Sequence, residues 1–367
     1  MMLGDLGATV YKVENPAGGD DTRGWGPPFV GEDDAPESTY FLSCNRNKQS
    51  VVLDLKSPDD LAVLRGLLAR ADVLIENFRP GTMERLGLGS ADLEPLNPRL
   101  ITLSISGFGH DGPEGQRAGY DQIAQGEAGL MSLTGPDADD VQRVGVPIGD
   151  LLAGMYGAYG VLAALHERER TGRGQVVRTS LLAAIVGVHA FEGTRWTVAG
   201  TVGRAQGNHH PSIAPYGLFR AGGGAVQIAV GSEGLWARLC EMLGLDPAEE
   251  RFATNARRVE HRVELIEVLE RAFASWSSGD LLIALEEAGV PAGKVRTIDE
   301  VYEWEQTRSQ GLVIDVEHSS LGRISLPGPP LRFFTPGGRE TTRREHRPPP
   351  LLGEHTEAAR DLANGGA

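Results

Sequence analysis

Asp150 stands in the run VGVPIGDLLAGMYGAYGVLAAL, where a valine- and isoleucine-rich lead-in, a glycine and an acid precede a helix of small residues. Read locally, this is a strand-to-helix turn with a carboxylate at the helix entrance. There the first backbone N–H groups and the positive end of the helix dipole would face the acid, keep it ionised and leave it available as a nucleophile. A plain N-cap has the same look, because Asp is among the commonest caps. The segment alone leaves both readings open, and the surroundings have to choose.

Elements able to position such a turn alternate over residues 1–130. ATVYKVE and SVVLDLK read as strands, and Asp59 then opens a helix with Leu61, Leu64, Leu67, Leu68 and Ala71 on one face. DVLIENF is the next strand, and LITLSISGFG follows after a connecting helix. Strands rich in Val, Ile and Leu, separated by helices, predict an α/β fold with a doubly wound, mostly parallel sheet. Ligands of such sheets bind at the carboxyl ends of the strands, so the loops after these three runs are the ones to inspect. Beyond Asp150 the helix carries Gly154, Gly157 and Gly160, a stripe that predicts close packing by another helix. QVVRTSLLAAIVGVHAF reads as a strand or turn followed by a buried helix, and GNHHPSIAPYG as a loop crossing to a second domain.

Residues 1–200 are thus expected to form a large α/β domain and 215–326 a smaller α+β domain, with 327–367 returning to the first. In the second region LFRAGGGAVQIAVGS predicts a hairpin turning at Gly222, Gly223 and Gly224, with helices following around Trp236–Leu243 and Val263–Trp276.

Composition narrows the functions. The 367 residues exceed one average domain, and 40% hydrophobic with 23% charged residues is ordinary globular usage. A net charge of −15 argues against nucleic acid or an anionic membrane surface as the main partner. Cys44 and Cys240 fit no metal or redox spacing, which points to a reducing, cytoplasmic setting. The apolar run from Leu151 to Leu165 is too short for a bilayer and reads as a buried helix.

Several segments, taken in order, resemble the class III coenzyme A transferases, the CaiB/BaiF family of formyl-CoA and carnitine-CoA transferase type. They are LGDLGATVYKVENPAGGDDTR, NRNKQSVVLDLK, ADVLIENFRPGTMERLG, SISGFGHDGPEGQRAGYDQIAQGEAGLMSLTG, VPIGD, GVPAGKV and LGRISLPGPPLRFF. The resemblance implies an interlocked homodimer, each chain a large α/β domain with a smaller one. It also implies transfer of CoA from an acyl-CoA to a carboxylic acid, through an anhydride and then a thioester on Asp150. No metal and no cofactor beyond coenzyme A is implied. Coenzyme A needs cations for its phosphates and an aromatic or apolar face for its base. By the resemblance Arg23, Leu53, Asp54, Leu55, Lys56, Asn77, Phe78, Arg79, Arg85, Arg117, Ala118, Gly119 and Tyr120 line its site. Gly222, Gly223 and Gly224 resemble the flexible glycine loop that covers the aspartate in some members, although a plain β-turn explains them as well.

Two rival readings stand beside this one. α-Methylacyl-CoA racemases share the fold and place a histidine in a GHD motif opposite the aspartate. Here the motif is GYD, with Tyr120 in that position, and a tyrosine with an ordinary pKa near 10 is a weak base at neutral pH. The other rival is a catalytically impaired partner subunit. MMLGDLGATVYKVE matches the end of the family's first helix, and the family's first strand and the loop after it have no counterpart.

Overall fold

Parallel strands form where the sequence concentrates β-branched residues. In the computed structural model, which describes residues 1–365, β1 (Val10–Glu14) pairs with β2 (Lys48–Val52). β3 (Val73–Glu76), β4 (Ile101–Ser106) and β5 (Val176–Ser180) form a second parallel sheet in the order β3-β4-β5. The fold is therefore mixed α/β with parallel strands. It is not the single doubly wound sheet expected, because no ladder joins β2 to β3 among the described residues. Side-chain packing unites them instead. Val51, Leu53, Leu64, Leu67, Leu68 and Leu100 share one core, with Leu74 against it.

The helix Pro58–Leu68 covers that core with Val63, Leu64, Leu67 and Leu68. Ser57 starts it, not Asp59. The Ser57 hydroxyl accepts the Asp60 N–H at 3.5 Å and Pro58 occupies the first turn, where a missing N–H costs nothing. Asp59 lies exposed inside the first turn.

The chain divides into two compact units. The first comprises Met1–Ala124, Pro147–Val188 and the chain from Tyr302 onward, and the second Gln125–Val146 and His189–Val301. Residues 302–326, grouped by sequence with the smaller domain, lie in the first unit, where Val313–His318 and Gly322–Pro327 pair as a hairpin.

In the first unit the helix Ile148–Thr171 runs for 24 residues, and the residues directly before it, 141–147, form no strand. By length and composition alone it could cross a membrane, being longer than the apolar run marked in the sequence. Its packing shows what it does here. The backbone at Gly157 and Gly160 sits so close to β4 and β5 that an added Cβ would stand 2.7 Å from Leu103 and from Val177. A sheet, not another helix, uses those two glycines, and Gly154 faces open space. Nor is the helix fully buried, since Leu151, Met155, Tyr156, Tyr159 and Leu162 are exposed. The sheet covers only one side of it.

The second unit is built on the antiparallel hairpin Tyr216–Ala221 and Gly224–Ala229, extended by Ala292–Gly293. Helices Glu233–Leu243, Arg262–Phe273 and Ser278–Glu287 close a core that includes Phe219, Trp236, Leu239, Leu269, Phe273 and Leu281. Ala221 pairs with Gly224, so Gly222 and Gly223 make the turn, the latter at φ +80°. At Gly222 a Cβ would lie 2.6 Å from the Trp276 carbonyl. Turn geometry and close packing account for these glycines.

Candidate active site

Asp150 is the third residue of its helix, and the cap is Pro147, which offers no side-chain acceptor. The missing cap comes from a distance. Asp121, at the start of the helix Asp121–Glu127, accepts the Gly149 N–H at 2.7 Å. One carboxylate is thereby spent on the helix N-terminus, and it is not Asp150.

The Asp150 carboxylate accepts no hydrogen bond from the described residues. Loss of surrounding water, and then the negative charge of Asp121, raise its pKa from 3.8 to about 6. This corrects the expectation that helix N–H groups would hold Asp150 strongly ionised. The Gly149 N–H serves Asp121, and what acts on Asp150 is desolvation and repulsion. A carboxylate without donors, beside a like charge, is more basic and more nucleophilic than an ordinary one, yet still ionised at neutral pH.

Two aromatic residues escaped the sequence reading, Tyr40 beside Asp150 and Trp25 against Tyr40. Tyr40 lies in the helix Thr39–Cys44, and burial first, then the charge of Asp150, raises its hydroxyl pKa above the ordinary value. Trp25 meets Tyr40 edge-on at 5.0 Å between ring centroids, and both rings are partly open to solvent. No local pattern marks either residue. Asp121 was in view within GYD, but only contact with Gly149 reveals its role.

The residues expected to hold coenzyme A fall into two groups. Asn77, Phe78 and Arg79 are exposed at the carboxyl end of β3, and Arg85, also exposed, donates to Thr82 at 2.8 Å. Lys56 is exposed beside the Asp54 turn, where the Asp54 carboxylate accepts the Lys56 N–H. Arg117 lies over the Phe108 ring at 4.6 Å and pairs with Glu114, while Tyr120 is 74% exposed and Ala118 is exposed. These side chains can meet a ligand.

Others are already employed. Leu53 belongs to the core, with Leu55 packed against it. Arg23 is held by Glu14 through two bonds of 2.8 Å, stacks on Phe41 at 3.7 Å and donates to the Pro350 carbonyl. Burial pushes Glu14 up, but the Arg23 and Ser50 hydrogen bonds outweigh it and leave its pKa lowered. Arg23 is thus an internal anchor that ties Glu14, Phe41 and Pro350 together. It is not an open cation.

Gly119 works through its backbone. A Cβ there would stand 2.7 Å from the Gly107 Cα, so the 117–120 loop lies directly on the end of β4. Gly119→Ala is expected to cost about 1–3 kcal/mol by forcing these backbones apart. Coenzyme affinity should fall with it. Denaturant unfolding and calorimetric titration with CoA measure the two effects, and an unchanged variant would show that the loops are not tightly coupled.

The small hollows lined by Gln310 to His346 and by His209 to Ile266 do not include Asp150. In the single chain the Asp150 side chain keeps contact with solvent.

The family model of CoA-transferase family III matches residues 1–356. The chain is 39% identical over 358 residues to human (Homo sapiens) succinyl-CoA:glutarate CoA-transferase, covering 97% of this chain and 80% of that one. To the succinate–glutarate CoA-transferase of Agrobacterium fabrum it is 40% identical over 358 residues, covering 96% and 88%. A solved CAIB/BAIF family protein from Brucella suis matches with a TM-score of 0.85 at 38% identity, over 99% of this chain and 93% of that one. A likeness that runs nearly end to end in sequence, and again in three dimensions, leads to one assignment: the chain belongs to CoA-transferase family III.

Proposed function

We propose that this CoA-transferase carries CoA from an acyl-CoA to a carboxylic acid by way of Asp150. The observation that carries the reading is the state of that carboxylate, which accepts no hydrogen bond from the described residues, sits beside Asp121 and has its pKa raised to about 6. An Asp150 oxygen attacks the thioester carbonyl, the C–S bond breaks, and CoA leaves as thiolate with a mixed anhydride on the enzyme. The thiolate then attacks the aspartyl carbonyl and releases the donor acid, leaving an aspartyl-CoA thioester. The acceptor carboxylate attacks that thioester, forming a second anhydride and freeing the thiolate. Attack of the thiolate on the acceptor's carbonyl completes the new acyl-CoA and regenerates Asp150. One thioester is consumed and one formed, and no proton is gained or lost.

Exposed Asn77, Phe78, Arg79, Arg85, Lys56, Arg117 and Tyr120 are our candidates for holding the coenzyme, with Arg23 as an anchor on Glu14 and Phe41. The names of the relatives support short dicarboxylic acids, of the succinate and glutarate kind, as the substrate class. The exposed apolar side of the Ile148–Thr171 helix, which begins beside Asp150, supports a second copy of the chain as the cover of the site. An interlocked homodimer in a reducing compartment, with Cys44 and Cys240 free, fits these features.

The test is chemical. Hydroxylamine or borohydride added during exposure to succinyl-CoA alone should leave a hydroxamate or reduced product at Asp150, read by peptide mass spectrometry. No modification at Asp150 under turnover conditions would overturn the covalent route.

A further inference from the structure

His110 lies in the loop after β4, and its surroundings give it more to do than fill a turn. Glu76 ends β3 and accepts the Phe78 N–H through Oε2 at 2.8 Å. Its other oxygen takes a short hydrogen bond from the Ser104 hydroxyl on β4. An ionised carboxylate can only accept, so Ser104 spends its single hydrogen there. The Ser104 oxygen must then accept from His110 Nε2, 2.6 Å away, which places a proton on that nitrogen. Nδ1 of the neutral ring faces the Ser106 hydroxyl at 3.5 Å, and Ser106 Oγ in turn accepts the Gly109 N–H at 3.1 Å. The bonds run head to tail from the loop after β4 to Glu76, whose carboxylate also accepts from the turn after β3.

Ser104 and Ser106 are buried, so each of these bonds is costly to leave unmade. Burial, then Arg178 on β5, holds the His110 pKa below the ordinary histidine value, against the pull of Glu76, Asp111 and Glu84. The chain of bonds needs a proton on Nε2, and neutral His110 supplies it while leaving Nδ1 to accept from Ser106. The turn it reaches is Asn77–Phe78–Arg79, whose side chains are all exposed and have no core to hold them. The loop it belongs to leads into Arg117–Tyr120.

We propose that His110 is a positioning residue, which through Ser104 and Glu76 sets the Asn77–Arg79 turn in the geometry that takes coenzyme A. The inference rests on that turn being part of the coenzyme site, and Arg79→Ala tests that separately. Steady-state ping-pong kinetics with succinyl-CoA and glutarate read a KM for each substrate, and calorimetry reads the affinity for free CoA. His110→Ala is expected to raise the KM for succinyl-CoA and the Kd for CoA about tenfold. The KM for glutarate and the melting temperature should change little. His110→Gln, whose amide N–H can reach Ser104 as Nε2 does, should restore most of the loss, and Ser104→Ala should reproduce it.

If Arg79→Ala weakens CoA binding but His110→Ala and Ser104→Ala do not, the positioning role is overturned. Should Arg79→Ala also leave CoA binding unchanged, the coenzyme assignment of the turn fails, and the proposal with it. If His110→Ala does not fold, Ser104→Ala and His110→Gln decide in its place.

Discussion

Asp150→Ala is expected to lower kcat/KM for CoA transfer by on the order of 10⁴-fold, the scale of losing a covalent nucleophile. The side chain accepts no hydrogen bond from the described residues, so its removal strands no buried donor. Folding and CoA affinity should survive. Chromatographic measurement of acyl-CoA exchange, calorimetric titration with CoA and a melting curve check the three parts together. Turnover within tenfold of the parent would sink the nucleophile, and loss of folding would show that Asp150 supports the helix more than the geometry says.

The second large effect is on pH. With the Asp150 pKa at about 6, the first half-reaction should follow the ionised fraction and fall about tenfold per pH unit below that value. Burst release of succinate from succinyl-CoA without acceptor isolates this step. Asp121→Asn removes the like charge while an amide oxygen still accepts the Gly149 N–H, so the limb should move acidward without loss of the helix entrance. It should stop short of 3.8, because desolvation, the larger cause, remains.

Stability moves the opposite way. A carboxylate with a folded pKa above its unfolded one stabilises the native state below about 3.8, and that contribution is lost as pH rises through about 6. Asp150→Asn should therefore melt higher than the parent at about pH 8 and equally at about pH 4. The gain will be muted, because the side chain keeps contact with solvent. A pH-independent rate, or an unmoved limb in Asp121→Asn, would contradict the environment described for Asp150.

Much of the architecture was legible from period and punctuation. Runs of Val and Ile marked the parallel strands, the glycine triplet marked the hairpin at Gly222–Gly223, and the ordered motifs pointed to the family. Where the reading slipped, a distant group had taken over a local role. Ser57 displaced Asp59 as a cap, and the β4–β5 sheet claimed Gly157 and Gly160 in place of a helix. Arg23, which the resemblance places at the coenzyme site, is held by Glu14 and stacks on Phe41.

Asp150 shows the division most clearly. Side-chain alternation and helix entry are set by neighbours a few residues away, so the chain alone could place an acid at the start of a small-residue helix. Whether that acid is a satisfied cap or a bare nucleophile depends on which group holds the helix N–H. That group is Asp121, 28 positions from Gly149. Tyr40, Trp25 and the Glu76–Ser104–His110 relay belong to the same class. Hydrogen bonds, desolvation and charge act through space over a few ångströms, and only the folded chain brings such residues within that range.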